Sequence, residues 1–214
     1  MEKHPAVTAC DNAESTDEGV KYISVGIPIG PRYDGTNTVF GVRCGTTFCD
    51  LDANESSIWS VGLDAPNLHE LLERTTAVSP ADFQRSIARL AQIGLLCHIN
   101  DSEESNHRFL RSHQLLGIGF GLGQTNKNPP LFGIGGTDLT LLVTADLAIY
   151  TIWIGVGDNA SMWEACEAVS ETVGVSVNSV AAHLLEALPT LMRESVALVD
   201  LATQEATTAK EQLR

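Results

Sequence analysis

Apolar positions begin to recur with a regular period only from Lys21; the twenty residues before it are polar and acidic, and read as a flexible acidic tail (1–20). YISVGIPIG (22–30) alternates polar or small residues with apolar ones and ends at Gly30-Pro31, which predicts a strand running into a loop. TVFGVRC (38–44) and TTFCDLD (46–52) meet at Gly45 and predict a tight hairpin. Asp52 or Asn54 then caps a short helix carrying Ile58 and Trp59. In NLHELLERTTA (67–77), Asn67 caps a helix whose face holds Leu68, Leu71 and Leu72. A third helix starts at Ser79-Pro80 and carries Phe83, Ile87, Leu90 and Ile93 on a 3.6-residue stripe, weakening at Gly94.

The same order then recurs. Val25, Gly26, Ile27, Ile29 and Gly30 stand opposite Ile118, Gly119, Phe120, Leu122 and Gly123 at a constant offset of 93. Ile58-Trp59 stands opposite Ile152-Trp153 at an offset of 94, as do Asp64 and Asp158, and Glu70 and Glu164. The third helices are SPADFQRSIARLAQIGLL and SVNSVAAHLLEALPTLM, with Thr190-Leu191-Met192 expected where the first copy ends in Gly94-Leu95-Leu96. A drift this small over so long a stretch implies an internal duplication, and two copies imply two packed units, not a solenoid. The expected fold class is α+β: two tandem winged-helix-like domains, each of about three short antiparallel strands and three helices. Residues 21–98 form the first, 99–114 a charged, turn-rich linker, 115–199 the second, and 200–214 a polar C-terminal extension.

Charge sharpens this picture. The formal net charge is -14, and between Ser112 and Met192 the only basic side chain is Lys127, against Asp138, Asp146, Asp158, Glu164, Glu167, Glu171 and Glu186. Such a surface disfavours nucleic acid and anionic membranes, which are bound mainly through Lys and Arg. No apolar run approaches the roughly 18 residues that cross a bilayer, and the N-terminus lacks the apolar core of a signal peptide, so cytoplasmic residence is expected. Five scattered cysteines (Cys10, Cys44, Cys49, Cys97, Cys166) read as reduced, buried small hydrophobes, without the paired spacing of a zinc site.

GIGFGLG (117–123) invites a phosphate-loop reading. The dinucleotide fingerprint needs a third glycine where Leu122 stands and a helix directly after it, whereas QTNKNPP follows. No Walker-type Gly-Lys-Ser/Thr is present either. The stretch is better read as a glycine-rich strand whose small residues admit close packing, with the partner domain as the expected neighbour. His98, His107 and His113 cluster near Asp101, Glu103 and Glu104, a set that binds metal loosely at most and that solvated linkers commonly carry. Trp59, Trp153 and Trp163 read as core anchors. No catalytic residue, metal or cofactor is expected. A winged helix suggests DNA contact through its third helix, where Arg85 and Arg89 share a face, but the second copy offers His183 and Glu186 instead.

The run from Val39 to Leu96, with its hairpin, Leu51-Asp52-Ala53-Asn54, the Ile58-Trp59 helix, the Leu71-Leu72 helix and the closing Leu90…Gly94-Leu95-Leu96, resembles the peptide-binding winged-helix domains of modified-peptide biosynthesis. These include the pyrroloquinoline quinone peptide chaperone and leader-peptide recognition elements. The usual Asp-Gly before the second helix is replaced by Asp64-Ala65-Pro66. The resemblance implies a non-enzymatic clamp that takes an extended peptide beside the third strand and third helix by strand addition. It places Thr47, Phe48, Cys49, Phe83, Arg85 and Ile87 along the groove. An acidic clamp would favour a basic or neutral peptide or protein partner. The alternative is a transcription regulator contacting DNA through Arg85 and Arg89. Leu184, Leu188, Leu191 and the Val196–Val199 segment are available to pack between the copies or between chains, so a homodimer stays open.

Overall fold

The computed structural model describes residues 20–34, 37–100, 102–126, 130–155 and 157–202; most of the acidic tail and of the C-terminal extension lies outside these. The chain is mixed α+β, with seven helices and small antiparallel sheets among the described residues. The first half runs β1 (Lys21–Ser24), β2 (Ile27–Asp34), β3 (Asn37–Cys44), β4 (Thr47–Leu51), α1 (Ala53–Gly62), α2 (Leu68–Arg74), α3 (Pro80–Gln92) and β5 (Leu96–Ile99). After α4 (Glu103–Ser112) the order repeats: β6 (His113–Gly117), β7 (Phe120–Gln124), β8 (Phe132–Gly135), β9 (Leu141–Ala145), α5 (Leu147–Ile154), α6 (Met162–Val173), α7 (Val177–Arg193) and β10 (Ala197–Leu201).

Each half therefore has five strands in two sheets, where about three strands were expected. The added complexity comes from one glycine. Gly26 has φ +106 and Gly119 φ +100, a region costly for side-chain-bearing residues, and a Cβ there would meet the carbonyl of Arg43 at 2.8 Å or of Gly135 at 2.2 Å. The chain turns at these points, so each opening strand splits in two. Its first part pairs with the last strand of the half, Lys21 opposite Ile99 and Gly117 opposite Ala197. Its second part joins the three-stranded sheets β2-β3-β4 and β7-β8-β9.

The helix starts are where local chemistry puts them. Asp52 accepts from the backbone of Asn54 and Glu55, while Glu55 accepts from the Asp52 N–H, a reciprocal capping box; Asn67 and Glu70 repeat it on α2. Ser79 caps α3 with Pro80 at the first turn, and Asp146 caps α5 as Asp52 caps α1. The two matching tryptophans are core anchors: Trp59 Nε1 donates to the Val25 carbonyl at 3.0 Å, and Trp153 Nε1 to the Val196 carbonyl at 2.7 Å.

The register of the last helix differs from the sequence expectation. The backbone N–H of Leu95 donates to Leu90 and that of Val196 to Leu191; Val25 N–H then reaches the Leu95 carbonyl and Ile118 N–H the Val196 carbonyl. The counterpart of Gly94-Leu95-Leu96 is thus Ser195-Val196-Ala197, with Gly94 at φ +74 and Ser195 at φ +55. Thr190-Leu191-Met192 lies inside α7, which has 17 residues against 13 in α3, about one extra turn.

The segment read as a turn-rich linker holds α4, capped by Ser102, and Phe109 and Leu110 fix it to the core. Beyond Val199 the chain continues as strand through Asp200 and Leu201, and Asp200 is almost wholly buried. Val25 and Val199 form a parallel bridge, Gly26 N–H donates to the Val199 carbonyl, and Asp200 accepts from Gly45 N–H at 2.7 Å with Arg43 at 3.7 Å. Asp200 thereby ties the last strand of the second half to the β3–β4 turn of the first. The buried apolar side chains form one cluster running through both halves.

Candidate functional site

The strand–helix groove is open in the second half. A cleft of about 190 Å³ lies between β9 and α7, closed at one end by the start of α5. Val143, Ala145, Ile149 and Leu191 make its buried apolar floor, and Thr144, Asp146, His183 and Thr190 its polar rim. Alternation along β9 sends Val143 and Ala145 inward, and among the described residues β9 is an edge of its sheet, paired only with β8. The α7 positions follow from the helical period, since His183, Ala187, Thr190 and Leu191 lie one or two turns apart on adjoining faces.

Asp146 has two tasks at the rim. Its Oδ1 accepts from the Ile149 N–H at 3.0 Å, capping α5, and its Oδ2 makes a short contact with His183 Nε2. Nδ1 of His183 faces Glu186 Oε2 at 3.9 Å. Both ring nitrogens thus face carboxylates, and the imidazole bridges them rather than standing as a base beside a hydroxyl. The cleft is below the few hundred Å³ of small-molecule sites and has the size of a side-chain pocket. A second cavity, beside Gly157 and Met162, holds about 10 Å³.

The corresponding groove of the first half, between β4 and α3, is bridged. Glu55 stands where the second half has Ile149, and Arg89 where it has Thr190. Arg89 Nη1 makes a short ion pair with Glu55 Oε2, and Glu55, 4 % exposed, also accepts from Asp52 N–H at 3.0 Å. The pair spans the groove from α3 to the first turn of α1.

The residues proposed from the sequence are not brought together there. Phe48 is opposite Arg43 and next to Asp50, on the sheet face turned away from the helices, and is exposed; Thr47 is exposed at the strand end. Cys49 lies on the inner face, half-buried, its thiol pushed up by burial while the Arg89 charge works against that. Phe83 is in the core, and Ile87 packs against the core. Arg85 is exposed on α3 and pairs with Asp82 at 2.6 Å. Arg85 and Arg89, the alternative DNA contacts, therefore both have carboxylate partners, and Arg89 is held at the start of α1. The residues that do line an open groove, Ile149, His183, Thr190 and Leu191, were not singled out as a site. The signal for them was the loss of the Glu55 and Arg89 charges at the matching positions, visible only with the register of α7 in hand.

Elsewhere the reactive groups are sequestered. Burial, and then the Asp200 charge, pushes the Cys44 thiol up to about 12, and burial does the same for Cys166. His113, buried and facing the Phe109 carbonyl at 2.9 Å, lies 3.6 Å from Cys97 Sγ, and burial pulls its pKa down. Among the described residues no three His, Cys, Asp or Glu side chains are placed to hold a metal ion, and no helix is long and apolar enough to cross a membrane. No family model matches the chain, and no curated protein or solved structure is significantly similar to it.

Proposed function

We propose that this chain is a non-enzymatic peptide- or protein-binding module built from two winged-helix-like halves, and that the second half is the one that binds. The observation carrying this reading is the cleft between β9 and α7, which joins an unpaired strand edge to a side-chain-sized apolar floor. An extended segment added along β9 would gain main-chain hydrogen bonds from the edge and place one aliphatic side chain over Ile149 and Leu191. The carboxylates of Asp146 and Glu186 on the rim, in a region whose one Lys/Arg side chain is Lys127, favour a neutral or basic segment. A cytoplasmic location is part of the same proposal.

A panel of fluorescent fifteen-residue peptides varying in charge and in one central aliphatic residue tests this by anisotropy. Neutral and basic members should bind the full chain, acidic ones should not. The double substitution Ile149→Glu, Thr190→Arg reproduces the first half's bridge and should weaken binding at least about tenfold, a loss of about 1.4 kcal/mol. No binding across the panel, or binding that survives the bridged variant unchanged, overturns the proposal.

A further inference from the structure

The outer face of the second three-stranded sheet is apolar and exposed. Phe120 and Leu122 on β7 and Leu141 on β9 flank Gly133 and Gly135 on the central strand. Their exposures are 52 % for Phe120, 38 % for Leu122 and 51 % for Leu141, and Leu142 beside them is 40 % exposed. The leucines lie down over the central glycines: a Cβ on Gly135 would meet Leu122 Cδ1 at 2.8 Å, and one on Gly133 would meet Leu141 Cδ1 at 2.9 Å. The product is a flat, greasy surface instead of a ridged one. A contiguous patch of this kind marks an interaction surface.

The matching face of the first half also exposes Ile29 and Phe48, but sets charges among them. Arg32 crosses Gly41 to pair with Asp50 at 3.2 Å, and Arg43 stands where the second half has Gly135. One fold, used twice in one chain, thus has a charged outer sheet face and an uncharged one. The charge balance selects the occupant. At net charge -14, two copies repel over nearly any pair of surfaces, since carboxylates outnumber cations 27 to 13. Along the strands of this face there is no charged residue; Asp146, directly after β9 and turned to cap α5, and Asp138, in the β8–β9 turn, are the nearest carboxylates in sequence. It is the place where two such chains can meet without opposing like charges.

We infer that this chain self-associates as a two-fold dimer through the outer faces of β7-β8-β9, stacked face to face at the roughly 10 Å spacing of packed sheets. Apolar burial drives the contact, and repulsion between two acidic bodies opposes it. Added salt should therefore tighten it by screening, the reverse of an ion-paired interface.

Sedimentation equilibrium of the full chain at low and high sodium chloride tests this. A dimer is expected, with a dissociation constant that falls as salt rises. Leu141→Glu and Phe120→Glu should each raise that constant at least about tenfold while circular dichroism and the melting temperature stay near those of the parent. Phe48→Glu, on the first half's outer face, should leave it unchanged. A monomer at every attainable concentration overturns the inference. So does a dimer that Phe48→Glu disrupts and the two second-half substitutions do not, or a monomer that uses this face for a different protein.

Discussion

At corresponding positions the first half carries Pro28 and Ser56, and the second carries Gly121 and Tyr150. A Cβ on Gly121 would stand 2.2 Å from the Tyr150 hydroxyl oxygen, so the large aromatic on α5 requires the glycine on β7. The small serine on α1 makes no such demand, and the strand there takes a proline. Ser24 and Gly117 differ for a similar reason: Ser24 Oγ donates to the Trp59 carbonyl at 2.6 Å, whereas a Cβ on Gly117 would come 2.9 Å from the Trp153 carbonyl. Glu55 with Arg89 against Ile149 with Thr190 is a third exchange. Positions that set the backbone path are alike in the two halves: Gly26 and Gly119, Asp52 and Asp146, Trp59 and Trp153. Side chains that touch have changed together. Gly117 and Gly121 are therefore explained by that half's own helix α5, and not by packing against the other half as expected from sequence.

The contact joining the halves is itself one-sided, and removing it should have the largest effect. Asp200 is buried, accepts from Gly45 and Leu201 N–H groups and pairs with an Arg43 that is about a third exposed. Asp200→Ala leaves the half-buried Gly45 N–H and a guanidinium without their acceptor and should cost about 2–3 kcal/mol in urea unfolding, the solvent access of both reducing the loss. If the halves are separable, the single transition should also split in two. A loss under about 1 kcal/mol would show that water replaces the carboxylate and that the halves are joined chiefly by apolar packing.

The paired exchange at Tyr150 is a smaller effect with a sharper outcome. Gly121→Ala should destabilise by about 1–3 kcal/mol through overpacking. Tyr150→Phe removes the oxygen at 2.2 Å and leaves ring carbon at 3.1 Å, so the double substitution should recover part of that loss. A non-additive thermal-melt cycle is expected; strict additivity would mean that glycine serves the backbone of β7 alone.

What the sequence made legible was whatever is decided within a few residues. Asp52, Asn67 and Ser79 cap their helices because an acceptor two or three residues ahead of a free N–H suffices. The duplication was legible because glycines and tryptophans repeat at a nearly fixed offset. The sheet partition was not, because it depends on Lys21 meeting Ile99 across most of a half. The register of α7 was hidden by its own periodicity, since Leu184, Leu188 and Leu191 fit the stripe whether or not a turn is added. With that register lost, Thr190 could not be matched to Arg89, and the open cleft could not be told from the bridged one.

The outer faces offer the gentlest way to blur the two halves. Arg32 and Asp50 are each about half exposed, 49 % and 48 %, so their ion pair contributes at most about 1 kcal/mol. Replacing them by the type of residue found on the second half's face, Arg32→Leu with Asp50→Thr, should change the melting temperature little. Thr144 is the residue that sits opposite Gly133 as Asp50 sits opposite Gly41, so the exchange follows the structural match. Its consequence should appear in mass. If removing the Arg32–Asp50 pair is sufficient for self-association with Arg43 still on the face, the variant acquires a second sticky face and grows beyond a dimer in sedimentation. If it does not grow, the flatness made by Leu122 and Leu141 lying over Gly133 and Gly135 is also required. The first half cannot supply that flatness while Arg43 stands where the second half has Gly135.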